Sequence, residues 1–120
     1  MSLQGFNSEG LTYLTNGVIA TNLLVTLTST AGTVGLCGAA GVPVGVADGA
    51  VASAAYGTFR PMRGRIQVVS TATITAGDFV KAGASGQVAP EASVAVRTAN
   101  TIGQAETGVT GSGKFWMVAL

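Results

Sequence analysis

The sequence predicts an all-β fold, a barrel or a sandwich, from three observations. Short runs rich in Val, Ile, Thr and aromatic residues recur along the 120-residue chain. Turn-forming residues separate these runs at intervals of about ten residues, as in small all-β domains, and 18 residues are glycine. The one Ala-rich stretch with helical propensity, Asp48–Tyr56, contains Gly49 and is too short for a stable helix, so we expect a loop there.

The chain divides in this prediction into an extended N-terminal arm, residues 1–17, and a single β domain, residues 18–120. The arm is the least regular segment, with large apolar side chains scattered among glycine and polar residues. One short strand is predicted within it, at Leu11–Leu14. The large apolar residues favour docking of the arm on another surface over a free terminus.

Strands in the first part of the domain are predicted from alternation. Leu23, Val25 and Leu27 share one face and Thr26 and Thr28 the other, which is the pattern of a strand with one buried face. The same reasoning gives the strands Leu23–Thr28, Thr33–Cys37, Val42–Ala47 and Thr58–Met62.

The second part has the same character. Ile66, Val68 and Ser70 share one face of their strand. The last run, Lys114–Leu120, is almost wholly apolar, which predicts a strand covered on both faces. The strands predicted here are Gly64–Thr71, Phe79–Ala82, Gln87–Ala89, Ile102–Glu106 and Lys114–Leu120.

Two clusters of similar sequence flank a central stretch, Ile74–Pro90, which we interpret as the crossing between them. Val44–Asp48 resembles Ile102–Glu106, and a loop of small residues follows each. Then come Gly57-Thr58-Phe59 and Gly113-Lys114-Phe115, respectively. Two interpretations stay open: two hairpins of one design, in which Gly45 and Gly103 permit close backbone approach, or coincidence in a sequence of low diversity.

Composition points to an interface rather than to a reaction centre. Charged residues are 9% of the chain against roughly a quarter in ordinary domains, while hydrophobic residues are 48%. Such a chain needs to cover apolar surface, and contact with copies of itself or with a larger assembly would do so. Apolar runs long enough for a membrane-spanning helix are absent from the sequence, and its beginning does not have the pattern of a secretory signal.

The residues that usually carry catalysis or metals are scarce. The sequence has no histidine, which removes the commonest general base and metal ligand, and Cys37 is its single cysteine. We therefore expect no enzyme activity, no cofactor and no metal. Asp48 and Glu106 occupy matching places in the two clusters, which favours a structural role at strand ends.

Arg60, Arg63 and Arg65 form a basic group. A net charge of +1 gives no general attraction to nucleic acid. The group therefore indicates either charges that keep a strand edge soluble or an ion-pairing contact with a protein partner, in preference to a nucleic-acid site.

These features together resemble the small capsid cement or decoration proteins of tailed bacteriophages, over about Val42–Leu120. The resemblance rests on the order of the segments Gly64–Val68, Ile74–Ala82, Gly86–Val88, Ile102–Glu106 and Gly113. An apolar strand follows them at the end of the chain.

The resemblance implies a single compact β-barrel or β-tulip-like subunit, here residues 18–120. It implies a homotrimer on the outer capsid surface of a virion that binds the major capsid protein and stabilises the shell, without direct contact to nucleic acid or membrane. The alternatives are another virion β-protein, such as a tail-tube or head-completion subunit, and a small carbohydrate-binding β-module.

Two sets of residues are candidates for capsid or subunit contacts. The first set is on the arm and the second on the strands. Phe59, also on a strand, is a further aromatic residue that could lie near an interface. The alternative for the strand aromatics is the domain's own core, where such residues most often pack. The candidates are Phe6, Leu11, Tyr13 and Leu14 on the arm, and Arg60, Arg63, Phe115 and Trp116 on the strands.

Overall fold

The computed structural model describes residues 10–120, and the regular secondary structure of this part of the chain is almost wholly β-strand. A 3₁₀ helix at Ala84–Gly86 is the one helical turn in it. The predicted all-β barrel class is therefore confirmed. The strands are β1 Leu11–Thr15, β2 Leu24–Leu27, β3 Thr33–Leu36, β4 Gly45–Ala47, β5 Tyr56–Pro61, β6 Arg65–Ser70, β7 Phe79–Ala82, β8 Val88–Pro90, β9 Thr101–Ala105 and β10 Gly113–Ala119.

The strands form two closed five-stranded sheets instead of one. The first barrel has the order β1-β3-β2-β4-β5 and closes by pairing of β5 with β1. The second has the order β6-β8-β7-β9-β10 and closes by pairing of β10 with β6. In each barrel only the first and third strands pair in parallel, and the other pairs are antiparallel. The two halves of the described chain thus have one topology.

Residue-by-residue pairing shows that the halves are a structural repeat. Residue pairs between β2 and β4 match those between β7 and β9, and pairs between β4 and β5 match those between β9 and β10. The two isolated bridges outside the strands match each other in the same way. The matched pairs are Val25↔Gly45 with Val80↔Gly103, Ala47↔Phe59 with Ala105↔Met117, and Ile19↔Val51 with Ile74↔Val109.

The similarity of the two sequence clusters therefore reflects a true repeat, although only part of the residue matching inferred from the sequence is correct. The match of Val44–Asp48 to Ile102–Glu106 agrees with the strand pairing. The match of Phe59 to Phe115 is displaced by two residues, because the structural equivalent of Phe59 is Met117. A displacement of two keeps the side chain on the same face, so the hydrophobic pattern alone does not reveal it.

A turn with positive φ precedes the second strand of each repeat. Asn22 has φ 69° and Gly77 has φ 94°, and both lie at the same structural position. The Asn22 N–H donates to the Ala47 carbonyl at 2.9 Å, and the Gly77 N–H donates to the Ala105 carbonyl at 2.8 Å. Glycine and asparagine tolerate this left-handed conformation better than other residues, which explains their use here.

Two boundaries predicted from the sequence need correction. Residues 10–17 do not form an arm, because β1 pairs with both β3 and β5 inside the first barrel. The central stretch Ile74–Pro90 lies within the second repeat. The connection between the barrels is instead the tight turn between β5 and β6, where Gly64 has φ 70°.

Each barrel contains a hydrophobic cluster, and one of the clusters draws on both barrels. The first cluster is made by first-barrel residues alone. The second cluster also includes Leu24, Cys37 and Val46 of the first barrel. The buried residues of the first cluster are Ile19, Val25, Val34, Ala47, Val51 and Phe59, and the second-barrel residues of the other are Ile66, Val68, Ile74, Val80, Ala82, Val88, Ala105, Phe115 and Met117.

The predicted burial of the two strand faces is correct for β6 and wrong for β2 and β10. Ile66, Val68 and Ser70 are buried as expected. In β2 both Leu24 and Val25 are buried, because the second barrel covers the outer face, while Leu27 is exposed. β10 is covered on one face only, since its outward side chains, including Trp116, are partly or largely exposed.

Close packing at Gly45 gives the first prediction. A Cβ atom on Gly45 would lie 2.8 Å from the Arg60 carbonyl oxygen. Gly45→Ala should therefore lower the free energy of unfolding by about 1–3 kcal/mol, as overpacking typically does. Urea unfolding measures this change. Gly49→Ala is the matched control, because a Cβ atom on Gly49 would have no neighbour within 4 Å. Equal stability of the two variants would contradict the close packing of β4 on β5.

Candidate functional site

The arm residues predicted to contact a partner belong mainly to the protein's own first barrel. Leu11 and Tyr13 pack against the first hydrophobic cluster, and the Tyr13 ring lies 6.1 Å from the Phe59 ring, centroid to centroid. Leu14 is partly buried in β1. Phe6 lies outside the described residues. Leu11 and Tyr13 thus have a packing role in the first barrel, and because both are only partly buried, their predicted contact with a partner stays a prediction.

The three arginines lie around the turn that joins the barrels. Arg60 lies 3.9 Å from Asp48, and Arg65 donates a hydrogen bond to Glu106, so each has an acidic partner. Arg63 is exposed in the turn and makes no ion pair within residues 10–120. Both ion pairs are about half exposed, so they contribute little to the stability of the fold. Because Arg60 and Arg65 each have an acidic partner, the net positive charge of the turn comes mainly from Arg63.

The two aromatic candidates of β10 lie on opposite faces of the sheet. Phe115 is 2% exposed in the second hydrophobic cluster and is unavailable to a partner, so its prediction as a contact residue is corrected. Trp116 is on the outer face and is partly exposed. The Arg65 guanidinium carbon lies 4.1 Å from the centre of the Trp116 ring, within cation–π distance, and this contact holds the ring in place.

An apolar groove lies where the two repeats meet near the end of β10. It encloses about 210 Å³ and includes Val42, which is 82% exposed, and Leu120, which is 50% exposed. Met62 and Ile102 form other parts of its wall. The sequence places Val42 in a strand and gives no sign of this groove, because its walls come from four separate segments that only the repeat pairing brings together.

The loop between β8 and β9 is held by a buried carboxylate. Glu91 is 5% exposed, and its Oε2 accepts hydrogen bonds from the Thr98 hydroxyl at 2.9 Å and the Thr101 hydroxyl at 2.6 Å. The Phe79 N–H donates to the Val94 carbonyl at 2.9 Å. The loop is therefore fixed at both ends, and it presents Val94 and neighbouring residues to the solvent.

The metal-ligating residue types are dispersed within residues 10–120. No set of three or more His, Cys, Asp or Glu residues there is placed to hold a metal ion. Cys37 is buried, and burial raises the pKa of its thiol, so the reactive thiolate form is disfavoured. No helix in this part of the chain is long and apolar enough to cross a bilayer.

Comparison with known proteins gives a likeness of fold. Neither a protein-family model nor a curated protein sequence matches this chain. Among solved structures it is similar to the N base of the head fiber protein gp8.5 of bacteriophage phi29, with a TM-score of 0.78 and 15% sequence identity. The alignment covers 92% of each chain. The two proteins share a fold. The likeness extends over nearly the whole chain, both barrels included.

The buried carboxylate gives the second prediction. Glu91→Ala removes the acceptor of two threonine hydroxyls, so the loop between β8 and β9 should open more readily, by about 1–2 kcal/mol. Hydrogen exchange of the Val96 and Thr101 amides measures the change. Glu91→Gln retains a carbonyl acceptor and should have a smaller effect. Unchanged exchange in Glu91→Ala would show that the carboxylate does not hold the loop.

Proposed function

We propose that this chain is a structural protein of a bacteriophage head, a subunit that binds the outer surface of the capsid shell. The observation that carries the proposal is the fold shared with a phage head fiber base over 92% of both chains. The sequence resemblance of Val42–Leu120 to capsid cement and decoration proteins supports the same class from a separate direction.

The finer form of the proposal is a cement subunit that binds the major capsid protein as a homotrimer. Three linked subunits make three contacts with the shell, and after the first contact the others are effectively intramolecular, so modest contacts together give strong attachment. Low charge and exposed apolar side chains suit such contacts, since charged residues are depleted at the core of protein interfaces.

The surface features that support these contacts are the apolar groove and the turn between the barrels. Val42 is the most exposed of the large hydrophobic residues in the described chain, at 82%. Arg63 offers a positive charge to an acidic partner surface. We expect the groove to be covered either by a second copy of the chain or by the major capsid protein.

Capsid binding is the third prediction. Purified protein added to capsids that lack it should co-sediment with them and raise the temperature at which the shells release DNA. Sedimentation velocity should show a trimer. Val42→Asp should weaken self-association or capsid binding, because it places a charge in the groove, whereas Val18→Asp changes an exposed valine outside the groove and is the matched control.

The outcomes separate the candidate functions. Co-sedimentation without a gain in heat resistance would favour a fiber base over a cement subunit. A ring of six in solution without capsid binding would favour a tail-tube subunit, and a monomer that does not bind capsids would favour a ligand-binding module. Either of the last two results would overturn the proposal.

A further inference from the structure

A second concave surface, distinct from the apolar groove, lies between the two barrels. It encloses about 300 Å³, at the lower end of the range for small-molecule sites, and six of its seven lining residues have polar or charged side chains, the seventh being Trp116. We call it the inter-barrel cleft. Its lining residues are Thr21, Asn22, Asp48 and Arg60 from the first barrel, and Gln67, Lys114 and Trp116 from the second.

The second barrel supplies an ordered aromatic platform to the cleft. Trp116 on β10 pairs directly with Gln67 on β6, so their side chains stand side by side on the outer face of the sheet. Arg65 stacks on the Trp116 ring and is held in turn by Glu106. The ring keeps part of its surface exposed and lines the cleft.

The first barrel supplies hydrogen-bonding groups opposite this platform. The Asn22 side-chain nitrogen lies 3.5 Å from the Gln67 side-chain oxygen, so two amides meet across the junction of the repeats. Asp48 follows β4, and its Oδ1 lies 3.9 Å from Nη1 of Arg60. The Arg60 guanidinium therefore largely balances the charge of the Asp48 carboxylate. Lys114 also lines the cleft and makes no ion pair within residues 10–120, so the cleft offers donors and acceptors together with one unbalanced positive charge.

The repeat shows that the fold itself does not require this set of residues. By strand pairing, the first-repeat equivalent of Trp116 is Thr58, and that of Gln67 is Thr12. The same outer face of a barrel can therefore be built without a large aromatic ring or an amide. Trp116 and Gln67 are particular to the side that faces the inter-barrel cleft.

We propose that the inter-barrel cleft binds a saccharide unit. A sugar ring has an apolar C–H face that stacks on an indole, and its hydroxyl groups both donate and accept hydrogen bonds. Amide side chains also do both, and a carboxylate accepts from two hydroxyls at once. The sugar ring would stack on the Trp116 indole, while the side chains of Asn22, Gln67 and Asp48 bind the sugar hydroxyl groups. Lys114 alone gives a weaker attraction to a phosphate or nucleic acid than the several cationic contacts that such ligands usually receive.

This assignment gives a structural reason for sugar binding, which the sequence leaves open only through the alternative of a carbohydrate-binding β-module. It goes beyond the proposed capsid function and does not rest on it. A head protein that binds capsids could lack sugar binding, and the reverse also holds, so the two experiments fail independently.

Trp116 is the single tryptophan of the chain, so its fluorescence reports directly on the cleft. The protein is titrated with chitotriose, maltotriose and lactose, and with sodium phosphate at the same concentrations. We expect a saturable change with at least one sugar, with a dissociation constant of about 1 mM or lower. Phosphate should give no such change.

Two variants test the assigned contacts. Gln67→Ala and Asn22→Gly should each weaken sugar binding about fivefold, the effect of one neutral hydrogen bond. Glycine suits the φ of 69° at position 22, so the backbone there is retained, and Asn22→Gly carries the test if Gln67→Ala does not fold. Gln104→Ala, an amide of the same barrel outside the cleft, is the matched control and should bind normally.

Three results would overturn the assignment. The first is the lack of a saturable change with any of the sugars up to about 10 mM, tenfold above the expected dissociation constant of about 1 mM. The second is an equal response to phosphate, and the third is wild-type affinity in the folded variants of Gln67 and Asn22.

Discussion

The shared hydrophobic packing between the barrels is the interaction on which the rest of the structure depends. Leu24, Cys37 and Val46 belong to the first barrel by strand pairing and chain position, yet they pack in the hydrophobic cluster of the second. Backbone hydrogen bonds reinforce this contact, since Gly86 donates to the Cys37 carbonyl at 2.8 Å. The first barrel consequently has apolar side chains on both faces of β2 and β4, and the positions of the apolar groove and the inter-barrel cleft follow from this junction.

Much of the strand structure can be predicted, because alternation and turn chemistry are local. The strand Phe79–Ala82 is predicted at its observed bounds, and the buried face of β6 follows correctly from Ile66 and Val68. The number of barrels cannot be predicted in this way. It depends on β5 pairing back to β1 and on β10 pairing back to β6, and both are long-range pairings that leave no periodic signal. For the same reason the sequence predicts the strand Leu11–Leu14 but assigns it to an arm, whereas β1 is part of the first barrel.

The candidate sites show a similar limit. Strand alternation places Phe115 and Trp116 on opposite faces, so the sequence already contains the reason that both cannot be surface contacts. In contrast, nothing local brings Asn22 and Asp48 to Trp116, because these residues meet only when one repeat is set against the other. The match of Val44–Asp48 to Ile102–Glu106 is visible in the sequence, and the strand pairing shows that it marks two equivalent units.

Native-state hydrogen exchange on Leu24→Ala tests most directly whether the two barrels depend on one junction. Leu24 is fully buried, so its truncation should cost about 2–5 kcal/mol. Because the residue belongs to one barrel and packs in the cluster of the other, the slowest-exchanging amides of β1–β5 and of β6–β10 should lose protection by the same free energy. Loss of protection in β1–β5 alone, with wild-type protection in β6–β10, would show two independent barrels and would contradict this account.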